Sequence, residues 1–216
     1  MERTITVKGT GKVSAKPDLI VVKMELTSKA VRYEETMNEA ATAVARLQKV
    51  LGQAGFDKTA LKTTDFSIDT DYESYRDEDG NYKSRFRGYV CEQRTKLEFD
   101  LDTKRLSDVI QSVTNSMADP KLSIKFTIKD SDVVSDALLA SAAESALHRA
   151  ELLTKAAGAR LGELKRIDYT WGELHLYSPT NLVFHEEVFH SQASMPELQP
   201  DDIDLSDTAT FVWAIE

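Results

Sequence analysis

The chain has 216 residues, of which 41% are hydrophobic and 29% charged, and these values are typical of a globular protein and exclude a disordered one. Its net charge is -9, but the acidic excess is concentrated in one stretch without Lys or Arg, so the rest of the chain is nearly balanced. A nucleic-acid binder normally carries a basic face or run, and since this chain has neither, we exclude that class. The acidic residues of the stretch are Glu186, Glu187, Glu197, Asp201, Asp202, Asp204 and Asp207.

The cysteine content and the hydropathy of the sequence indicate where in the cell the protein is expected. The single cysteine, Cys91, has no partner for an intrachain disulfide, so the core must hold the fold. The sequence begins without a basic and then apolar leader, and no segment is apolar over the length of a bilayer. We therefore expect no transmembrane segment and a cytoplasmic protein, or an exported or periplasmic one if a signal peptide has been removed.

The first thirty residues alternate between apolar and polar side chains in two runs, which is typical of half-buried strands. Pro17 lies between the runs, and its fixed φ and missing N–H interrupt the ladder beside Asp18. We predict an N-terminal β-hairpin from Thr4 to Ala30 that turns at Lys16-Pro17-Asp18.

From Tyr33 the apolar period changes from two to 3.6, which predicts a long amphipathic helix ending at Gly55 as a left-handed cap. Farther on, Asp79-Gly80 separates two alternating runs. This dipeptide favours a two-residue hairpin turn in which both central residues have positive φ.

The elements fall into two units of the same order, and both long helices end at a glycine, Gly55 or Gly158. The first unit is predicted to comprise strand 18–30, helix 33–54, strand 62–75 and strand 82–101. The second is predicted to comprise strand 121–129, helix 132–157, strand 163–176 and strand 207–215. We therefore predict an α+β fold in a single domain, with two βαββ-type units whose helices pack on antiparallel or mixed sheets. A subdivision would separate 1–101 from 102–216.

Between the last two predicted strands lies the acidic connection 178–205. Connections of this length without regular structure are uncommon in compact domains and are usually functional or disordered. Several apolar side chains lie in it, so we expect a partly ordered surface loop whose apolar residues dock on a partner subunit. These residues are Leu182, Val183, Phe184, Val188 and Phe189.

Three patterns resemble catalytic or cofactor sites. Gly9-Thr10-Gly11 lacks the third glycine of a dinucleotide loop, because Ser14 occupies that place and the strand continues, so close packing or a bulge is favoured and no cofactor is predicted. Cys91 has no neighbouring base in sequence and is interpreted as a buried thiol. No Gly-x-Ser-x-Gly elbow is present, and we predict no catalytic residue and no enzyme.

The third pattern is a set of histidines in and before the acidic connection. His185 and His190 are five residues apart, whereas a zinc-protease helix has its histidines four apart on one face. With His175 they could form a loop-built metal site, which gives the alternative hypothesis of a metal-binding protein or metal-dependent enzyme. Acidic loops with scattered histidines are ordinarily solvated, and we favour that interpretation.

The residues around Asp79-Gly80 are rich in aromatic and basic side chains, a mixture typical of protein interfaces. The aromatic residues are Tyr72, Tyr75, Tyr82, Phe86 and Tyr89, and the interleaved basic ones are Arg76, Lys83, Arg85 and Arg87. A solvated arm whose tyrosines merely cover its face is the alternative. Because a two-stranded ribbon is marginally stable by itself, we predict a contact with another copy or with a partner protein.

Several short motifs in a fixed order carry a family resemblance. They are Val7-Lys8-Gly9-Thr10-Gly11, Pro17-Asp18, Gly55, Thr63-Thr64, Tyr72, Tyr75, Gly88-Tyr89, an Ala-rich helix, Gly158 and Leu161-Gly162. Together they resemble the SIMPL-domain family, a bacterial group that includes the periplasmic immunogenic protein of Brucella. Asp119-Pro120 departs from the pattern, since a small Gly-Ala pair is common there.

The resemblance implies an α+β protein without an agreed enzymatic activity. It also implies cell-envelope or stress-related roles and, in some members, assembly into large channel-like homo-oligomers. It supplies no catalytic residues. From these expectations we predict a non-enzymatic, self-associating interaction protein.

Overall fold

The structure is a computed structural model that describes residues 3–170, 172, 174–184 and 198–216. These residues form an α+β fold, which confirms the predicted class. In chain order the elements are β1 (Thr4–Ala15), β2 (Leu19–Ala30), α1 (Tyr33–Gln53), a 3-10 turn (Lys58–Ala60), β3 (Lys62–Arg76), β4 (Tyr82–Asp100), α2 (Thr103–Thr114), β5 (Lys121–Thr127), α3 (Ser131–Ala156), β6 (Leu161–Asp168), β7 (Tyr177–Phe184) and β8 (Ile203–Ile215).

The strands form two sheets, one in the order β1-β8-β6 and one in the order β3-β4-β2-β5-β7. The chain divides into two compact units whose boundaries differ from 1–101 and 102–216. The first unit contains Met1–Asp18, Thr127–Pro179 and Pro200–Glu216. The second contains Leu19–Phe126 and Thr180–Gln199.

The predicted N-terminal hairpin is wrong. β1 pairs with β8 along its whole length, from Thr4 opposite Ala214 to Ala15 opposite Ile203. β2 instead pairs antiparallel with β4 in the other sheet. Alternating hydrophobicity tells which face of a strand is buried, but it carries no information about the strand that lies beside it.

In the first unit, α3 lies directly against β1, and two glycines make this possible. A Cβ atom on Gly9 would lie 2.0 Å from the carbonyl oxygen of Ala142, and one on Gly11 would lie 2.1 Å from that of Leu138. Ala146, which is fully buried, continues the small-residue face of the helix. The close-packing interpretation of Gly9-Thr10-Gly11 is therefore confirmed.

The same helix also covers the edge of β1, which is a terminal strand of its sheet. The Lys12 N–H donates to Ser141 Oγ at 3.2 Å, and Arg149 Nη1 donates to the Lys8 carbonyl at 2.9 Å. Edge strands otherwise offer free backbone groups to other chains. Side chains of α3 thus satisfy polar groups that β8 does not reach.

The second unit has the element order β2-α1-β3-β4-α2-β5, and four of its strands lie in the order β3-β4-β2-β5. This is the ferredoxin-like βαββαβ arrangement. The first predicted βαββ unit is confirmed within it. Its core includes Ile20, Val22, Met24, Leu47, Leu97, Leu106, Leu122, Ile124 and Phe126.

The second predicted βαββ unit is corrected by the sheet order. β5 belongs to the five-stranded sheet, while β6 and β8 join β1. In addition, β7 (Tyr177–Phe184) occupies the first part of the predicted loop 178–205, and Leu182 and Phe184 pack against the core of the second unit. These two side chains are partly buried against the core of their own unit, whereas Val183 between them is 52% exposed, so the predicted docking of the loop stays a prediction. Val188 and Phe189 lie outside the described residues.

Glycine ends both long helices as predicted. After α1, Gly55 has φ of 83° and the N–H of Phe56 donates to the Leu51 carbonyl at 3.0 Å. The same left-handed ending follows α3 at Gly158, with φ of 72°. These bonds satisfy carbonyl groups that the last helical turn leaves free.

Replacing Gly9 by Ala should lower the free energy of unfolding by about 1–3 kcal/mol, because the new methyl group overlaps the backbone of α3. Chemical denaturation followed by circular dichroism measures this effect. The matched control is Gly52→Ala, since no atom lies within 4 Å of its added Cβ and Ala is the better helix former. It should raise stability by up to about 1 kcal/mol. Equal effects of the two substitutions would contradict the close contact.

Candidate interaction surface

The hairpin of β3 and β4 extends beyond the rest of its sheet. The pairing of β2 with β4 ends at Ala30, which lies opposite Tyr89. Farther out, residues 71–76 and 82–88 pair with each other and with no other described strand, and we call this ribbon, 71–88, the arm. Gly88 marks its base, where φ is 146° and an added Cβ would lie 2.2 Å from the Ala30 carbonyl oxygen.

The turn at the tip of the arm is longer than predicted. The N–H of Asp77 donates to the Asn81 carbonyl at 3.0 Å, and only Gly80 has positive φ, at 83°. The Asp77 carboxylate also accepts from the N–H groups of Asp79 and Asn81. The two-residue turn is therefore wrong, because the side chain of Asp77 supplies hydrogen bonds that favour a three-residue loop closed by a left-handed glycine.

One face of the arm carries a continuous series of aromatic rings. Tyr72 lies opposite Phe86, their ring centroids 5.7 Å apart, and Phe86 contacts Tyr89 at 5.5 Å. Tyr89 in turn contacts Tyr33 at the start of α1, at 5.6 Å. All three contacts are edge-to-face, the favoured geometry for aromatic pairs. We call these four residues the aromatic strip.

The strip brings together only three of the five predicted contact residues. Tyr82 lies near the tip, where it accepts a hydrogen bond from Arg76 at 2.6 Å. Tyr75 lies on the opposite face, opposite Lys83. Sequence reasoning missed Tyr33 as a contact residue, because its position fits the apolar stripe of α1 equally well. Its position as the first residue of α1 was the only available signal.

The opposite face of the arm is held by ion pairs. Arg85 lies 2.8 Å from Glu73, and Lys83 lies 2.9 Å from Asp77. The hydrogen bond from Arg85, followed by its charge, lowers the pKa of Glu73. The hydrogen bond from Lys83, followed by one from the Asn81 N–H, lowers the pKa of Asp77. The charges of this face are thus largely neutralised within the arm.

Comparison with known proteins identifies the family. The SIMPL model, described as a protein of unknown function (DUF541), matches residues 5–213. The chain belongs to the SIMPL family. No curated protein matches it. Among solved structures it is similar to CutA from Synechococcus elongatus PCC7942, with 17% identity over 60% of this chain and 94% of that one. The TM-score of that comparison is 0.24, too low to support an argument.

The remaining sequence candidates in this SIMPL protein are Cys91 and the three histidines. Cys91 is 1% exposed, and burial, followed by the charge of Glu92, raises the pKa of its thiol, as expected of an inert cysteine. His175 is exposed, and the described residues contain no group of three or more potential metal ligands. His185 and His190 lie outside those residues, so the three-histidine site stays a prediction. None of the helices in the described ranges has the length and apolar character needed to cross a bilayer.

Acidification should loosen the arm. Since the folded-state pKa of Glu73 and of Asp77 is lowered, their stabilisation is present above the unfolded pKa of about 4 and is lost as the pH falls through the folded values. Amide exchange, corrected for its intrinsic pH dependence, should show weaker protection of residues 82–87 at pH 3 than at pH 6.

The variant Glu73→Gln provides the control. It removes the charge, and the pH dependence should therefore decrease, with only the contribution of Asp77 remaining. Amides in the part of β4 that pairs with β2 serve as the internal reference. Unchanged protection of the arm relative to that reference would show that the ion pairs do not hold it.

Proposed function

We propose that this SIMPL protein is a non-enzymatic interaction protein that self-associates through the aromatic strip. The observation that carries the proposal is the strip itself, whose four rings contact one another in series through Tyr89 while Tyr33, Tyr72 and Phe86 are still 49%, 57% and 43% exposed. Contiguous apolar surface of this kind is typical of interaction sites.

The position of the strip supports a partner contact. Two-stranded ribbons are marginally stable in water, and beyond Tyr89 no third strand among the described residues pairs with the arm. Packing the strip of a second copy on this face would remove the rings from water. Burial of a large apolar side chain contributes about 1.5–3 kcal/mol, so a few such rings can stabilise an association.

The chemistry of the arm favours a second copy as the partner. Its charged face is internally neutralised by the Arg85–Glu73 and Lys83–Asp77 pairs, so it offers little attraction for a strongly charged partner. Aromatic strips complement one another through edge-to-face contacts, and a two-fold axis would place identical strips against each other. Tyr82, near the tip, then lies at the rim of the contact, and Tyr75, on the opposite face, lies outside it.

The absence of catalysis is part of the same proposal. Among the described residues, the groups with shifted pKa are chiefly partners in surface ion pairs, together with the buried Cys91 thiol. None of them forms the pair of nucleophile and base in a cleft that is typical of active sites.

Substituting the strip should weaken self-association. In light scattering after size exclusion, the wild-type protein should form a homo-oligomer at tens of micromolar. Phe86→Ser and Tyr72→Ser should each raise the dissociation constant by at least about tenfold, because each removes a ring from the contact.

The matched control is Leu152→Ser, which removes a side chain of similar exposure, 60%, from α3 in the first unit. It should leave the dissociation constant unchanged. A wild-type protein that is monomeric at these concentrations would overturn the proposal, and so would a loss of association caused by Leu152→Ser alone.

A further inference from the structure

β5 is too short to cover its neighbour β2. β5 has 7 residues and β2 has 12. The Asp18 N–H donates to the Thr127 carbonyl at 3.0 Å, and Lys121 lies 3.6 Å from Glu25, so β5 begins beside Glu25 and ends beside Asp18. The last five residues of β2, 26–30, therefore extend past β5 on that side.

No described strand lies on this side of residues 26–30, and the backbone groups that face it can be identified. The Ala30 carbonyl oxygen lies against Gly88 of β4, and the Met24 carbonyl accepts from a β4 hydroxyl at 3.3 Å. Backbone groups of successive strand residues point to opposite sides, so the even-numbered residues face β4. The N–H and C=O groups of Thr27 and Lys29 consequently point away from β4, to the side where β5 is missing.

A groove of about 450 Å³ lies at this place. One wall is α1, through Asn38 and Thr42, and the other is the turn at Met117 and Ala118. Met117 has φ of 54°, in the left-handed region, and the chain reaches the line of β5 only after this turn. The groove thus occupies the path that a longer β5 would have taken.

The polar groups in the groove suit a peptide with an acidic side chain. Arg46 Nη1 donates to the Met117 carbonyl at 3.1 Å, which fixes the guanidinium while its other donors stay free of described partners. Lys29 adds a second cation without an ion pair among the described residues, against one carboxylate, Glu39. Ser28, a residue that is 8% exposed, also lines the groove.

We propose that this groove binds a short extended peptide segment bearing a carboxylate side chain. The peptide adds as a strand to the vacant edge of β2, where Thr27 and Lys29 supply two N–H and two C=O groups, and its carboxylate pairs with Arg46 or Lys29. The site is separate from the aromatic strip and does not depend on self-association.

Fluorescence polarisation with a labelled pentapeptide, acetyl-Thr-Val-Glu-Val-Thr-amide, tests the site. Binding should saturate, and Thr42→Trp, which places an indole in the groove, should weaken it at least about tenfold. The matched control is Ala45→Trp, an exposed position of α1 outside the groove, which should change binding less than about twofold. Arg46→Gln should reduce the preference for this peptide over one with Gln in place of Glu, and Arg46→Gln combined with Lys29→Gln should abolish it.

Amide exchange gives a readout that needs no affinity measurement. The amides of Thr27 and Lys29 should exchange faster than that of Ser28 in the free protein and become protected by the peptide. Circular dichroism confirms that each variant is folded. The proposal is overturned if no saturable binding occurs at millimolar peptide, if Thr42→Trp and Ala45→Trp act alike, or if the Thr27 and Lys29 amides are already protected without peptide.

Discussion

The close approach of α3 to β1 is the constraint on which the first unit depends. A helix can lie this near to a strand only where the strand has no side chains, as at Gly9 and Gly11, and where the helix has small ones, as at Ala142 and Ala146. The contact holds β1 beside β8 and lets Ser141 and Arg149 reach its edge. A larger residue at either glycine would separate the helix from the strand and expose both. Gly9-Thr10-Gly11 thus serves close packing, although its sequence resembles part of a dinucleotide-binding loop.

The second unit is governed by unequal strand lengths. β4 has 19 residues and β3 has 15, whereas β2 has 12 and β5 only 7. The excess of β3 and β4 over β2 produces the arm, and the excess of β2 over β5 produces the groove. Both proposed binding surfaces therefore arise where a strand continues after its neighbour has ended. Unpaired strand edges promote aggregation unless another element covers them or a partner binds them. The arm is bordered by aromatic rings, and the groove is bordered by polar side chains.

Membership of the SIMPL family agrees with this distribution of features. The glycines among the motifs that carry the resemblance coincide with backbone requirements: Gly9 and Gly11 at the helix contact, Gly55 and Gly158 at helix ends, and Gly88 where the arm leaves the sheet. Two further motif residues, Tyr72 and Tyr89, belong to the aromatic strip. The motifs therefore mark both the packing of the backbone and one exposed surface.

The sequence by itself determined the elements whose causes are local. Apolar periodicity marked α1 and α3, glycines marked their ends, and the Gly9-Thr10-Gly11 pattern indicated close packing, because each of these signals acts over a few residues. Only the tertiary structure decided that β1 pairs with β8, that β5 joins the sheet of β2, and that β7 completes that sheet. It likewise decided that Tyr33 joins Tyr89 in the aromatic strip. Strand pairing is non-local, and alternation is the same for every candidate partner, so the choice depends on which faces can be buried together in the whole molecule.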